Sequence, residues 1–346
     1  MADVAGPTRV VLAGAGRFGA LHARTWSEAG ARIVGVVDPD ARRAEALAAR
    51  HGASFGSELS EVLQPGSADA VVVASTEDTH VPLALEALRA GCHVFVEKPF
   101  AMRPADAAAV VATAEARGLT AFAGHVSRFA QPYVRLRDAV DAGRLGTLWT
   151  LRLRRDFSRA WFESFGDRVD PVWESCIHDV DLAIYLASAR PVRVVAQRSA
   201  AAGRAAASVV SALVAFDSGV TATIESAWAV PDGAPGTLAG VLELDGTIAA
   251  ECEVIGSRGV AKQRLVNDSL TEWTDTGATT PDLTLWPEVA GRVGGALAAE
   301  VTEALAVFRG ERPPARMPHR EALWSVELAA AIVESAESGA VVTIPG

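Results

Sequence analysis

The stretch VVLAGAGRFGALH, residues 10–22, decides the fold of the amino-terminal part of the chain. It places Gly14, Gly16 and Gly19 directly after a short apolar run and directly before a segment with helical spacing. Between a strand and a helix, the first glycine permits a tight turn, the second lets a phosphate approach the backbone, and the third lets helix and strand pack closely. Free N–H groups at the start of the helix then favour an anion. The stretch therefore predicts a dinucleotide-binding loop.

Four further apolar runs follow in the first 125 residues, at 32–38, 69–75, 93–97 and 119–124. Each is nearly continuous in apolar residues, as expected for parallel strands that are buried on both faces. Ala- and Leu-rich segments with helical spacing separate the runs, and each ends at or near a glycine, a common helix terminator. Repeated strand–helix units predict an α/β fold with an open, doubly wound parallel sheet.

After about residue 145 the pattern changes to alternating apolar and polar residues, which is typical of an antiparallel sheet with one covered face. The predicted strands lie within 147–157, 191–200, 207–228 and 237–257. Helical segments are predicted at 172–188, 286–310 and 319–338. A chain of 346 residues is long enough for two domains. We therefore predict a dinucleotide-binding domain over 1–125 and an α+β domain, with a large and mostly antiparallel open sheet, over 126–346.

Bulk composition excludes several classes of protein. The net charge of −10 argues against a nucleic-acid surface, which needs a basic stripe. No apolar run reaches the roughly 18 residues that a membrane span needs, and the first residues do not have the pattern of a signal peptide. Three cysteines, far apart in the chain, are interpreted as reduced thiols of a cytoplasmic protein.

Asp38 ends the second predicted strand, 22 residues after Gly16. A carboxylate at this position can accept hydrogen bonds from the ribose hydroxyls of adenosine and would repel a 2′-phosphate. We therefore predict NAD rather than NADP as the cofactor, although Arg42 and Arg43 keep NADP open. The alternative role for Asp38 is that of a turn residue before Pro39.

Lys98 follows the fourth main strand in the segment AGCHVFVEKP, residues 90–99, and the carboxyl end of a parallel strand faces the ligand crevice of such sheets. With GAGRFGALH (14–22), GHVSRFAQPY (124–133) and WESCIHDVDL (173–182), this segment resembles the family of glucose–fructose oxidoreductase, inositol dehydrogenase and rhizopine-catabolism dehydrogenases (Gfo/Idh/MocA). The similarity runs nearly from end to end.

The resemblance implies a Rossmann domain, and an α/β domain whose open sheet packs against another subunit in a homodimer or homotetramer. It also implies NAD(P)-dependent oxidation of a hydroxyl on a small sugar or cyclitol, with Lys98 and His178 beside that hydroxyl. Two departures from the family pattern are visible: Glu174 stands where the family usually has Asp, and STEDTH (75–80) replaces a TPN-like run.

The segment WESCIHDVDL also has a chemical interpretation of its own. Glu174 and His178 are four residues apart and share one face of a helix, and a neutral imidazole can accept the proton of an alcohol. We assign His178 as acid/base, Lys98 as stabiliser of the developing alkoxide and proton-relay partner, and Glu174 as orienting residue and substrate ligand. A zinc site needs a third ligand, so no metal is predicted. Cys176 and His178 diverge on a helix, and Asp181 is either a partner of the site or structural.

The predicted cofactor contacts are Gly14, Gly16, Arg17, Phe18, Gly19, Asp38, Ser75, Thr76, His80, Glu97 and Lys98. The predicted substrate contacts are Lys98, Arg128, Glu174, His178, Trp161 and Trp286. The two tryptophans are included because aromatic faces pack on sugar rings, although such residues are as often plain core. Two other functions remain open: a non-catalytic regulator that senses NAD or sugar, and an NAD-dependent glycosidase.

Overall fold

In the computed structural model the described residues are 6–159, 170–199, 209–231, 236–237, 248–264, 270–275 and 277–345. The chain forms two compact units. The first comprises Met1–Gly124 and Glu288–Leu323, and the second comprises His125–Pro287 and Trp324–Gly346. Residues 288–323 thus pack with the first unit, whereas the prediction from sequence drew a single boundary after residue 125.

The first unit contains a six-stranded sheet in the order β3-β2-β1-β4-β5-β6, in which every neighbouring pair is parallel. Its strands are β1 (Arg9–Ala13), β2 (Arg32–Val37), β3 (Ser54–Gly56), β4 (Ala70–Val73), β5 (His93–Glu97) and β6 (Ala121–Gly124). Valines of β1, β4 and β5 have no exposed surface, so the predicted doubly covered parallel sheet is confirmed. Sequence patterning missed β3, because its three residues, Ser-Phe-Gly, form no apolar run.

The described part of the chain contains nine α-helices: α1 (Arg17–Glu28), α2 (Ala41–His51), α3 (Leu59–Val62), α4 (His80–Arg89), α5 (Pro104–Ala116), α6 (Gln131–Asp141), α7 (Ile177–Ala187), α8 (Gly295–Phe308) and α9 (His319–Ser338). Within the first unit, α8 packs on α1, where the rings of Trp26 and Phe308 stack with centroids 6.0 Å apart. None of the helices in the described residues is both long and apolar enough to cross a membrane.

The prediction of a helix over 286–310 is wrong for its first part. Residues 288–293 form a small hairpin instead, and α8 begins only at Gly295. Ala290 and Gly291 take left-handed backbone conformations, with φ of 51° and 77°, and a right-handed helix does not accommodate them.

The second unit contains a seven-stranded sheet in the order β13-β12-β7-β10-β9-β8-β18. The strands after β6 are β7 (Leu148–Ser158), β8 (Pro191–Ser199), β9 (Val209–Phe216), β10 (Thr221–Val230), β11 (Gly236–Thr237), β12 (Ile248–Gly256), β13 (Gly259–Arg264), β14 (Glu272–Thr274), β15 (Gly277–Thr280), β16 (Glu288–Val289), β17 (Arg292–Val293) and β18 (Val342–Thr343). All pairs in the seven-stranded sheet are antiparallel except β7 with β10, so the predicted mostly antiparallel sheet is confirmed as a mixed one.

The two faces of this sheet differ in polarity because successive side chains of a strand point to opposite sides. On β7, Leu151 and Leu153 are buried, whereas Arg152 and Arg154, which alternate with them, are exposed. Helix α7, whose residues are all buried except His178, packs against β7 and β10 on the inner side. The inner face therefore forms the core of the second unit, and α7, which packs on it, carries His178.

Candidate active site

The glycine turn after β1 has the form that the sequence predicted. Gly14 has a φ of 107°, and a Cβ atom built there would lie 2.4 Å from the carbonyl oxygen of Ala74. A Cβ at Gly19 would lie 2.0 Å from the carbonyl oxygen of Gly14. A Cβ at Gly16 would meet nothing within 4 Å. The first and third glycines are thus required by packing, whereas the second borders open space that a ligand phosphate can approach.

Asp38 lies beside this turn and is 9% exposed. Its Oδ2 accepts a hydrogen bond from the backbone N–H of Ala15 at 2.7 Å, and its Oδ1 accepts one from Asp40 at 2.9 Å. Each carboxylate oxygen has a second lone pair that can accept a ribose hydroxyl. Arg43 lies 3.4 Å from the carboxylate of Asp40, in an exposed ion pair. The carboxylate at the end of β2 therefore fits an unphosphorylated ribose.

The predicted cofactor contacts after β4 lie on one turn. The hydroxyls of Ser75 and Thr79 are hydrogen-bonded at 2.7 Å, and Thr76 is exposed. His80 is buried, and its Nδ1 is hydrogen-bonded to the carbonyl oxygen of Pro99 at 2.8 Å. His80 thus holds the backbone just after Lys98, and its contact with cofactor stays a prediction.

Lys98 is partly exposed at the carboxyl end of β5, and Glu97 beside it is buried. Oε1 of Glu97 lies 2.7 Å from Nε2 of His22 on α1, and Oε2 accepts the backbone N–H of Lys98 at 3.0 Å. Burial acts to raise the pKa of Glu97, but the hydrogen bond from His22 and the charges of His22 and Lys98 outweigh it and lower that pKa. Glu97, predicted from the sequence as a cofactor contact, thus forms a buried pair with His22. The spacing GxGxxGxxH is the sequence feature that could have singled out His22.

The whole chain has only two lysines, Lys98 and Lys262, among 32 basic residues. Arginine stays protonated at any pH of interest and cannot exchange a proton, whereas a lysine amine can. A lysine at position 98 in so arginine-rich a sequence is therefore consistent with a chemical role for its amine.

In the second unit, a π-helical turn (Val172–Cys176) leads directly into α7. Such turns occur frequently at functional sites. Between residues 171 and 187 every side chain is buried except Glu174 and His178, which are partly exposed. The segment therefore offers one carboxylate and one imidazole to a ligand. Lys98 and His178 belong to different units, and their convergence stays a prediction.

Two polar anchors hold this segment to the sheet. Arg155 on β7 donates two hydrogen bonds to the buried carboxylate of Asp179, from Nε to Oδ2 at 2.7 Å and from a terminal nitrogen to Oδ1 at 3.2 Å. On β10, the hydroxyl of Ser226 and the indole N–H of Trp228 each lie 2.8 Å from the hydroxyl of Ser175. The anchors fall beside Glu174 and His178, so they fix the rotation of the segment about its axis.

Cys176 lies in the same turn and has no exposed surface. Burial raises the pKa of its thiol, followed in importance by the nearby charge of Asp179. A thiol held in its protonated form is a poor nucleophile, which agrees with the interpretation of Cys176 as a small buried side chain.

Arg128, predicted as a substrate contact, has no exposed surface. Its guanidinium donates to Asp181 at 2.8 and 2.6 Å and lies 4.8 Å from the ring centroid of Tyr185. Asp181 is therefore the buried partner of Arg128. Trp286 is 5% exposed, and Trp161 lies outside the described residues. Contacts of Arg128 and Trp286 with substrate stay predictions.

No group of three or more His, Cys, Asp or Glu side chains within the described ranges is placed to hold a metal ion.

A parallel sheet in the order β3-β2-β1-β4-β5-β6, with a glycine turn after β1 and a carboxylate at the end of β2, defines a dinucleotide-binding protein. Residues 8–125 match the model of an oxidoreductase family with an NAD-binding Rossmann fold, and residues 133–262 match that of the GFO/IDH/MocA C-terminal domain. The two matches together cover more than half of the chain, so this protein belongs to the Gfo/Idh/MocA family. NAD is the cofactor of this family domain, and the glycine turn and Asp38 fit it.

Among curated proteins, the chain is 36% identical over 204 residues to inositol 2-dehydrogenase 1 of Saccharopolyspora erythraea, a match that covers 58% of this chain and 60% of that protein. It is 33% identical over 190 residues to UDP-N-acetylglucosamine 3-dehydrogenase of Acidithiobacillus ferrooxidans, which covers 54% and 57%. The matched parts thus span about 60% of these relatives' lengths.

Two solved structures resemble the whole chain. One is a putative myo-inositol dehydrogenase from Sinorhizobium meliloti 1021, with a TM-score of 0.79, 26% identity, and coverage of 98% of this chain and 100% of that one. The other is GenD2 from gentamicin A biosynthesis, solved in complex with NAD, with a TM-score of 0.82, 23% identity, and coverage of 100% and 98%. At 23% identity the second resemblance shows the fold alone.

Proposed function

We propose that this protein is an NAD-dependent dehydrogenase that oxidises a secondary hydroxyl of a cyclitol or sugar. Membership of an oxidoreductase family supports the reaction class, and relatives named inositol 2-dehydrogenase and UDP-N-acetylglucosamine 3-dehydrogenase support the substrate class. The proposal rests above all on the position of Lys98. This residue, one of two lysines in the chain, lies at the carboxyl end of β5 in a dinucleotide-binding sheet.

Oxidation of a secondary alcohol removes the hydroxyl proton and a hydride from the adjacent carbon. NAD supplies the hydride acceptor, and the turn of Gly14, Gly16 and Gly19, with Asp38, would hold it. His178 accepts the hydroxyl proton as general base, since a neutral imidazole is available near pH 7. Lys98 stabilises the negative charge that develops on the substrate oxygen and passes the proton on.

Glu174 is proposed to orient the imidazole of His178 and to bind a neighbouring substrate group. Both side chains are partly exposed on one helical segment of otherwise buried residues, which supports a shared ligand. A carboxylate pairs with hydroxyls and also with an ammonium, so amino-cyclitols and amino-sugars belong to the proposed substrate class.

The test is a panel of inositols, amino-inositols, aldoses and nucleotide sugars, each incubated with NAD or NADP while NADH or NADPH formation is followed by absorbance. We expect turnover with NAD, and a loss of kcat of about 10²- to 10⁴-fold in Lys98→Ala and in His178→Ala. Lys262→Ala, which removes the other lysine, is the matched control and keeps wild-type kcat. Turnover that survives unchanged in both site variants would remove the mechanism, and NAD binding without any turnover would favour a sensing role instead.

We also propose that the outer face of the seven-stranded sheet joins copies of the chain into a homodimer or homotetramer. This face carries rows of alternating charge, such as Arg152–Glu253–Lys262 with both ion pairs at 2.7 Å, and two exposed apolar side chains, Leu213 and Val260. Static light scattering tests it. We expect a multiple of the chain mass for the wild type and a smaller mass for Leu213→Arg, and a monomeric wild type would contradict the proposal.

A further inference from the structure

A buried run of hydrogen bonds lies beneath Lys98. The indole N–H of Trp26 donates to Nδ1 of His22 at 3.2 Å. Nε2 of His22 is 2.7 Å from Oε1 of Glu97, whose Oε2 accepts the backbone N–H of Lys98 at 3.0 Å. Trp26 and His22 have no exposed surface and Glu97 is 7% exposed. The run thus connects α1, the helix that follows the glycine turn, with the residue proposed to handle the substrate oxygen.

The pattern of donors and acceptors in this run of hydrogen bonds determines where its protons lie. An indole N–H can only donate, so Nδ1 of His22 accepts, and the ring proton of the neutral imidazole lies on Nε2. Nε2 then donates to Glu97, which needs no proton of its own. The pKa of Glu97 is lowered: burial has the largest single effect and raises it, but the neighbouring hydrogen-bond donors and positive charges together outweigh burial. Glu97 is therefore an anion that accepts a hydrogen bond from a buried ring on α1.

Aromatic rings surround the pair, which has almost no exposed surface. The ring of His22 lies 5.4 Å from that of Phe18 and 5.3 Å from that of Phe95, measured between centroids. A Cβ atom at Gly124 would lie 3.1 Å from Oε1 of Glu97, closer than an ordinary contact, so glycine gives the carboxylate more room than any other residue would. An apolar pair of side chains would fill such a space at lower desolvation cost. The retained charge points to a role beyond packing.

We propose that Glu97 and His22 are positioning residues for Lys98: Glu97 holds its backbone and sets a buried negative charge beside its ammonium, and His22 holds Glu97. The inference rests on the proposed role of Lys98 in the dehydrogenase reaction. The same contact couples α1, and hence the nucleotide turn, to the placement of the amine.

The first experiment measures the amine directly and needs no substrate. Purified protein is reductively methylated with formaldehyde and dimethylamine–borane, and mass spectrometry of peptides follows Lys98 with Lys262 as internal reference. In Glu97→Gln we expect the ratio of the Lys98 rate to the Lys262 rate to rise about three- to tenfold, because loss of a neighbouring anion makes the uncharged amine more abundant. The control is Asp69→Asn, which removes a hydrogen-bonded carboxylate at the amino end of the same sheet, 2.7 Å from the N–H of Arg9. This control variant should leave the ratio of the two labelling rates unchanged.

The second experiment uses whichever substrate the panel identifies. Glu97→Gln is expected to lower kcat by about 10- to 100-fold, a range typical of small misplacements of a reacting group, and by a larger factor than it raises the Kd for NAD. If Glu97 were merely structural, Glu97→Gln would lower thermal stability, and kcat would not fall by a larger factor than the Kd for NAD rises.

Variants at position 22 keep the inference testable if Glu97→Gln does not fold. His22→Phe removes the donor to Glu97 while keeping an aromatic ring, and we expect it to change the labelling ratio and kcat in the same direction. His22→Gln keeps an N–H donor to Glu97 and should have a labelling ratio and a kcat close to those of the wild type. An unchanged labelling ratio in folded Glu97→Gln or His22→Phe would overturn the inference. Because labelling needs no turnover, that result is distinct from a failure of the proposed function, which would show as an inactive wild type.

Discussion

The two proposed reactive residues, Lys98 and His178, can be compared through the buried carboxylates next to them in sequence. Lys98 follows Glu97, whose partner on α1 is the imidazole of His22. His178 precedes Asp179, whose partner on β7 is the guanidinium of Arg155. Both carboxylates are almost fully buried and both receive hydrogen bonds at 2.7 Å.

The difference lies in the charge of the partner. Arg155 is always a cation, so the charge of Asp179 is balanced within its own pair. The imidazole of His22 is not a permanent cation and gives Glu97 a single hydrogen bond, and the charge of Lys98 also helps to lower the pKa of Glu97. We therefore expect the pair in the second unit to fix only the place of His178, and the pair in the first unit to act on the charge of Lys98 as well.

The largest effect on stability is expected from breaking the ion pair between Arg155 and Asp179. Arg155→Met leaves the Asp179 carboxylate buried without its counter-charge, and removal of one partner of a buried ion pair costs about 3–5 kcal/mol. The free energy of unfolding in urea at neutral pH measures it. The double variant Arg155→Met with Asp179→Leu leaves no uncompensated charge and should recover most of the loss. A double variant as unstable as the single one would contradict the pairing.

A smaller and pH-dependent effect is expected at Glu97. In Glu97→Gln we expect a loss of about 1–3 kcal/mol at neutral pH, typical of a broken buried hydrogen bond to a charged group. The pKa of Glu97 in the folded protein is lowered below its ordinary value of 4.5. The stabilising contribution is therefore complete above that value and disappears as pH falls through the folded-state pKa.

Urea unfolding of wild type and Glu97→Gln at a series of pH values from about 7 to about 3.5 measures the trend. The difference in unfolding free energy should be constant near neutrality and shrink on acidification below the ordinary pKa. A difference that grows on acidification would mean that the folded-state pKa of Glu97 is raised, and the comparison with Asp179 would lose its basis.

How far the sequence could predict these regions depends on the chain distance between the groups involved. The glycine turn and Asp38 lie within 25 residues of one another, and their spacing alone predicted the dinucleotide loop. His22 and Glu97 lie 75 residues apart, and no periodic pattern connects them before the sheet order is known. The tertiary structure, and not the local sequence, determines that the imidazole of His22 meets the carboxylate of Glu97.

The buried pair of Arg155 on β7 and Asp179 on α7 could be predicted in part from the sequence. In LRLRRDF (151–157), strict alternation places Leu151, Leu153 and Phe157 on the inner face together with Arg155. A charged residue at an inward position demands a buried partner of opposite charge. The sequence could therefore have predicted that a partner exists, but only the packing of α7 on β7 identifies it as Asp179.

The smallest effect concerns the second anchor of the His178 segment. Ser226→Ala removes one of the hydrogen bonds to the hydroxyl of Ser175 but leaves the one from Trp228, so we expect a loss of about 1 kcal/mol. Ser211→Ala, on the exposed face of the neighbouring strand β9, is the matched control and should change unfolding by less than about 0.5 kcal/mol. If the anchor also sets the rotation of the segment, Ser226→Ala lowers kcat on the identified substrate more than this small loss of stability suggests. Equal kcat in the two serine variants would show instead that Arg155 and Asp179 alone hold His178 in place.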